Sequence, residues 1–121
     1  ALFFSMFVLL MRKCYLRDIR EMRDWARQVS EWGRERQKDF LAYCQRLIRE
    51  NFMYNFHRPE LNYLSEQENQ FSVNFARFVN ERNVISIMDE LSQAQRDIEQ
   101  NTNSQMVFFD FALRMIVLLI Q

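Results

Sequence analysis

The chain has 121 residues, of which 49% are hydrophobic and 26% charged, and its formal net charge at neutral pH is zero. That length fits one domain, and the composition is typical of a globular protein rather than a disordered one. The sequence holds one glycine and one proline, which excludes a turn-rich β fold and the glycine-rich phosphate-binding loops. These features predict an all-α fold.

Charge is distributed unevenly along the chain. The segment from Arg12 to Arg58 holds twelve Lys and Arg against seven Asp and Glu, and the segment from Glu60 onward holds four against nine. Acidic residues alternate with the arginines at helical spacing, which favours local ion pairs and two halves that attract each other. The alternative is a helical nucleic-acid-binding domain that uses the arginine-rich first half. Its candidate residues are Arg12, Arg17, Arg20, Arg23 and Arg27.

The opening segment, residues 1–11, is almost entirely apolar. It lacks an initiating methionine, a preceding basic residue and a small-residue cleavage site, so it does not match a secretory signal peptide. It is also much shorter than the roughly 20 residues that a helix needs to span a bilayer. We expect a single helical domain, residues 1–121, excised from a larger protein.

Hydrophobic periodicity predicts a compact bundle of five to six helices joined by short breaks. The first three cover residues 2–15, 16–32 and 34–56. A short fourth helix opens at Ser65 and carries a stripe of phenylalanines. The fifth places its apolar residues on one face between Val84 and Ile98, and the sixth covers residues 104–121.

Four local signals predict where these helices begin and end. Gly33 fits a left-handed stop for the second helix, and Pro59 ends the third. Ser65 and Glu68 have the spacing of a capping box at the start of the fourth helix. The segment Asn80–Asn83 predicts a break, with an asparagine as the next N-cap.

The first and last helices are apolar around most of their circumference. In one interpretation the last helix is the central, buried element of the bundle, with the first packed beside it. In the other, part of one of them is exposed as a contact surface for another protein chain. Both interpretations stay open. The twelve phenylalanines and four tyrosines recur at helical spacing, which favours core packing over a stacking platform for bases.

No residues in the sequence assemble a catalytic, cofactor-binding or metal-binding motif. His57 is the single histidine and has no glutamate three residues before it, which argues against a carboxylate-bridged metal site. Its position beside Pro59 favours a solvated or capping role over that of a catalytic base. Cys14 and Cys44 lack metal-ligand spacing and are expected to be buried thiols, although a disulfide between them stays open.

Four stretches together carry a family resemblance. They are Trp32–Leu41, Phe78–Val84, Ala94–Asn101 and, most specifically, Asn103–Met115, in which an asparagine opens a helix of apolar pairs followed by an acidic residue and Leu-Arg. This pattern resembles the C-terminal collar domain of the delta-prime subunits of bacterial DNA polymerase III, in the clamp-loader family.

The resemblance implies a non-catalytic oligomerisation domain that holds a subunit in a hetero-oligomeric ring and supports sliding-clamp loading in DNA replication. Its partners are then other clamp-loader subunits in the cytoplasm and, indirectly, the sliding clamp and primed DNA. No cofactor, membrane or small-molecule substrate is implied, and the family's ATPase-like modules lie outside this sequence. The candidate interface or family-motif residues are Asn103, Met106, Val107, Asp110, Leu113, Arg114 and Val117.

Overall fold

The computed structural model describes residues 2–121, a part of the chain that forms six α-helices and no β-strand. Ala1, the first residue of the apolar opening segment, lies outside the described residues. The predicted all-α fold is confirmed. The helices are α1 (Leu2–Leu16), α2 (Ile19–Ser30), α3 (Arg34–Tyr54), α4 (Glu66–Phe75), α5 (Val84–Glu99) and α6 (Ser104–Leu119), and single 3₁₀ turns precede and follow α4 at Pro59–Leu61 and Ala76–Phe78.

The helices share one hydrophobic core. α6 packs most extensively on α2 and also contacts α5 and α1, while α3 packs mainly on α5. All six helices contribute to the same cluster of buried apolar side chains. On α5 the buried residues are Ile87, Leu91, Ala94 and Ile98, which confirms the predicted apolar face of that helix. The 3.6-residue period therefore identified the inner side of this element correctly.

Side-chain caps define three of the helix starts. The Ser65 hydroxyl accepts from the Glu68 backbone N–H at 3.2 Å, and the Glu68 carboxylate accepts from the Ser65 N–H at 3.0 Å, which confirms the predicted capping box. Asp18 caps α2 through the Glu21 N–H at 3.1 Å. Asn103 caps α6 in the same way. Each cap satisfies a backbone donor that has no partner inside its helix.

The prediction that Gly33 is a left-handed stop is wrong. α2 ends at Ser30, because the backbone N–H groups of Glu31 and Trp32 close its last turn on carbonyls three residues earlier. The chain has therefore left the helix before it reaches Gly33, which adopts an extended conformation (φ −66°, ψ 159°) as the N-cap residue of α3. The residues that do adopt a left-handed conformation are Arg17, His57 and Asn101.

The third helix ends two residues before the predicted residue 56, well ahead of Pro59. α3 ends at Tyr54, and His57 turns the chain with φ 56° before Pro59 opens a 3₁₀ turn. The side-chain amide of Asn55, the C-cap residue, donates to two backbone carbonyls of the α4–α5 connection, each at 2.9 Å. A tertiary contact thus anchors the chain directly after the end of α3.

The break at Asn80–Asn83 separates the turn after α4 from α5, as predicted. Asn83 occupies the N-cap position, but its side chain does not cap α5. It is fully buried, accepts from the Asn80 N–H, and donates to the carbonyls of Phe78 and Leu118, each at 2.8 Å. This asparagine therefore ties the α4–α5 connection to the end of α6.

Aromatic side chains fill the centre of the bundle. Trp25, Phe40 and Phe108 come from three different helices, and their ring centroids lie 6.0 to 6.4 Å apart. The Trp25 indole donates to the Met6 carbonyl at 3.0 Å, so its one polar group is satisfied in the core. These rings are fully buried, which agrees with core packing rather than a platform for bases.

Among residues 2–121, three ion pairs join the basic first half to the acidic second half, and one of them links Arg58 to its near neighbour Glu60 at 2.8 Å. Arg46 contacts Glu68 at 2.7 Å, and Lys38 contacts Glu99 at 3.7 Å. The remaining ion pairs among these residues, such as Arg27 with Asp24, form within one half. The pairs of Lys38 and Arg58 are largely exposed and contribute about 1 kcal/mol or less each, so apolar packing contributes more than these pairs to holding the two halves together.

Candidate protein-interaction surface

α6 is buried on one side and exposed on the other. Its inner side contributes Val107, Phe108, Phe111, Ala112 and Met115 to the core. On the opposite side, Met106 is 68% exposed and Val117 is 56% exposed. The expectation that a helix of this composition is buried all round is therefore wrong for α6, because its neighbours α1, α2 and α5 cover only part of its circumference.

The structure places the seven candidate interface residues in three environments. We define the outer face of α6 by its five exposed members, which recur every three to four residues along one stripe. Leu113 is half-buried beside this stripe. Val107 lies in the core and is not accessible to a partner. The outer face of α6 consists of Asn103, Met106, Asp110, Arg114 and Val117.

Two members of the outer face have a local structural role as well. The Asn103 side chain accepts from the Met106 N–H at 3.1 Å and thereby caps the helix. Asp110 and Glu90 both contact the Arg114 guanidinium, at 3.1 and 3.4 Å. The hydrogen bond with Asp110 and the two negative charges raise the pKa of Arg114, so this residue stays charged on the surface. Asp110 and Arg114 therefore lie between the two exposed apolar side chains of this face, Met106 and Val117.

α1 has less free apolar surface along most of its length. Met6, Phe7, Leu10 and Met11 are buried in the core. Its exposed apolar residues are at the two ends, where Leu2, Tyr15 and Leu16 lie. The interpretation in which a terminal helix presents a contact surface therefore fits α6 better than α1.

The residues considered for chemistry stay apart. His57 is exposed at the turn that follows α3, and Cys14 and Cys44 are separate buried thiols. Burial raises the pKa of Cys14 to about 12 and raises that of Cys44 as well, so neither is a ready nucleophile. Among residues 2–121 no group of three or more His, Cys, Asp or Glu side chains is placed to hold a metal ion. The absence of a catalytic function stays a prediction.

The five arginines proposed for nucleic-acid binding are exposed but do not form one row. Arg27 pairs with Asp24, and the Arg23 guanidinium lies over the Phe109 ring, 5.5 Å from its centroid. Arg12 and Arg17 instead line a groove with two arginines of the second half, Arg77 and Arg82. Sequence reasoning missed this grouping, because the two pairs are about 60 residues apart and no local signal joins them.

None of the helices between residues 2 and 121 combines the length and the apolar character that crossing a lipid bilayer requires.

No family model, curated protein or solved structure matches this chain. The resemblance to clamp-loader collar domains stays a prediction, carried by the four stretches quoted above.

Proposed function

We propose that this chain is a non-catalytic, helical oligomerisation domain that joins a hetero-oligomeric assembly through the outer face of α6. One observation carries the proposal: Met106 and Val117 are exposed although the same helix supplies a fully formed core on its other side. Folding of the bundle does not need these two side chains. Exposed apolar residues around a fixed charged group are typical of a protein-interaction surface.

The resemblance to the clamp-loader family supplies the finer proposal. Its strongest stretch, Asn103–Met115, covers most of the outer face of α6. We propose that the partners are the other subunits of a clamp loader in the cytoplasm. The domain then acts in DNA replication by holding its subunit in the ring while the sliding clamp is loaded on primed DNA.

The test is to introduce Met106→Asp and Val117→Asp together in the full-length protein and to measure its association with the other clamp-loader subunits. Truncating or charging a central apolar anchor costs about 2 kcal/mol or more, which corresponds to roughly 30-fold weaker binding. Val73→Asp is the matched control, because Val73 is 61% exposed on a different helix, α4. Circular dichroism establishes that all variants fold.

The outcome that contradicts the proposal is unchanged assembly by the double aspartate variant. A second measurement tests the nucleic-acid alternative through Arg20 and Arg23, two of its five candidate arginines, which are exposed on α2 and have no acidic partner among the described residues. If Arg20→Ala with Arg23→Ala abolishes salt-dependent DNA binding while assembly stays intact in the aspartate variant, the nucleic-acid function replaces the oligomerisation function.

A further inference from the structure

A groove with a cavity volume of about 970 Å³ lies on the surface of the bundle, apart from the stripe that defines the outer face of α6. Its walls are the second half of α1, the end of α4 with its following turn, and the end of α6. Its apolar lining, which we call the floor, combines aliphatic and aromatic side chains. The aliphatic ones include Met11 and Leu119, and the aromatic ones are Tyr15, Phe71, Phe75 and Phe78.

Four arginines line this groove, and no aspartate or glutamate does. Arg12 and Arg17 come from α1 and the residue after it, whereas Arg77 and Arg82 come from the α4–α5 connection. All four are exposed. None of the four forms an ion pair with any residue from 2 to 121, although several basic residues elsewhere in the bundle do, such as Arg46 and Arg58. The charged side chains that line the groove are therefore all basic, in a chain of zero net charge.

The weak contacts of these arginines leave most of their donors free. The Arg77 guanidinium lies 5.1 Å from the centroid of the Phe78 ring, and Arg82 donates to the Gln121 carbonyl at 3.3 Å. Because each guanidinium has five N–H donors, most of this hydrogen-bonding capacity faces solvent. Like charges around an apolar floor repel one another, and a bound anion relieves that repulsion.

The apolar floor and the basic walls together indicate which kind of ligand fits the groove. An amphipathic helix places apolar side chains at positions i, i+3, i+4 and i+7 on such a floor. Carboxylates on its flanks then reach the guanidinium groups, which bind them in bidentate fashion. Gln70 and Asn74 also line the groove and offer amide groups to the polar side of a peptide.

Single-stranded nucleic acid fits this floor less well. Bases bind to exposed aromatic faces, and among the aromatic residues of the groove Tyr15 is the one with a largely exposed side chain. Phe71 and Phe75 are stacked on each other, with centroids 4.8 Å apart, and Phe75 is buried. Because Tyr15 alone among these rings is largely exposed, the groove favours a peptide over a row of bases.

We propose that the groove between α1, α4 and the end of α6 binds an acidic, amphipathic helical segment of a partner protein. This inference does not depend on the proposed role of the outer face of α6, because no residue of that face lines the groove.

The experiment selects ligands for the 121-residue chain from a phage-displayed library of random 16-residue peptides. The enriched peptides are synthesised with a fluorescent label, and their affinities are measured by anisotropy at low and high salt. The groove variant is Arg12→Glu with Arg77→Glu, and Arg12→Ala with Arg77→Ala serves if the charge reversal impairs folding. Arg20→Glu with Arg49→Glu is the matched control, because both arginines are exposed and lie outside the groove.

The proposal predicts that the selected peptides carry Asp or Glu together with Leu, Ile or Phe at helical spacing. We expect the groove variant to bind them at least about tenfold more weakly than the wild type does. High salt should weaken binding to the wild type by most of the same factor, because it screens the arginine–carboxylate attraction. The control variant should bind within about twofold of the wild type.

Two results overturn the proposal. In the first, no acidic amphipathic peptide is enriched, or the enriched peptides bind the groove variant as tightly as the wild type. In the second, a labelled oligo-dT of 16 nucleotides binds more tightly than every selected peptide and loses its affinity in the groove variant. That result assigns the four arginines to nucleic acid instead.

Discussion

Glu68 shows how much one buried carboxylate organises around itself. Its side chain accepts from the Tyr43 hydroxyl and the Arg46 guanidinium, each at 2.7 Å, and from the Ser65 N–H at 3.0 Å. Glu68 is 6% exposed, so these bonds replace water almost entirely. The residue therefore connects the start of α4 to α3 as well as capping its own helix.

We expect Glu68→Gln to lower the free energy of unfolding by about 2 kcal/mol, because hydrogen bonds to a charged acceptor contribute more than neutral ones. The glutamine amide would also place its NH₂ group against one of the groups that now donate to Glu68, so that two donors would face each other. Glu66→Gln is the control, since Glu66 lies in the same first turn but is exposed. Urea unfolding of both variants measures the difference, and equal losses would remove the special role of Glu68.

The same carboxylate predicts a pH dependence. Burial by itself would raise the pKa of Glu68, but the hydrogen bonds from Tyr43, Ser65 and Arg46 outweigh it and hold the pKa below its ordinary value of 4.5. The stabilisation is therefore fully present above that value and is lost as the pH falls through the lower pKa of the folded state. We expect the stability gap between wild type and Glu68→Gln to narrow as unfolding is measured from about pH 6 to about pH 3. A constant gap would contradict this assignment.

At the scale of single elements, helix starts in this chain are either capped by a side chain or left open. Ser65 has φ −67° and ψ 168° and caps α4. Gly33 has nearly the same backbone conformation (φ −66°, ψ 159°) at the start of α3 but offers no side chain. A Cβ atom built on Gly33 has no neighbour within 4 Å. The first turn of the longest helix is therefore missing a cap that its backbone already permits.

We expect Gly33→Ser to raise the free energy of unfolding by about 0.5 to 1 kcal/mol, through a new N-cap and a smaller entropy of the unfolded chain. Gly33→Ala separates the two contributions, because alanine restricts the unfolded chain in the same way but cannot accept a hydrogen bond. Thermal or urea unfolding compares the three proteins. If serine is no more stabilising than alanine, the cap does not form.

At the scale of the whole molecule, an aromatic cluster in the core joins side chains from α2, α3 and α6. Phe108 is fully buried between Trp25 and Phe40, at the place where the three helices meet. Its neighbour in sequence, Phe109, is only partly buried and lies under the Arg23 guanidinium. The two adjacent phenylalanines of α6 therefore differ in burial and in the residues that they contact.

We expect Phe108→Ala to cost about 4 kcal/mol, a large part of the 5 to 15 kcal/mol typical of a domain. Phe109→Ala should cost clearly less, because the removed ring leaves a surface depression rather than an internal cavity. Urea unfolding with comparison of midpoints and slopes measures both losses. Equal destabilisation by the two variants would mean that α6 is anchored along both sides.

Local signals predicted the elements of this fold well. The capping box at Ser65 and the apolar face of α5 depend on residues within a few positions of one another, so their geometry follows from helical spacing alone. The exact helix ends were predicted less well. α2 ends at Ser30 and α3 at Tyr54, before Gly33 and Pro59 are reached, and the residue after α3 makes long-range amide contacts that no local pattern shows.

The sequence by itself determined that this protein is a helical bundle, because periodicity, caps and the scarcity of glycine and proline act over short stretches of chain. It also pointed to α6 as a helix with more apolar surface than one core needs. Only the tertiary structure decided which side of α6 is exposed, since that depends on how much of its circumference α1, α2 and α5 cover. The same holds for the groove, where packing brings Arg12 and Arg17 together with Arg77 and Arg82 from distant parts of the chain.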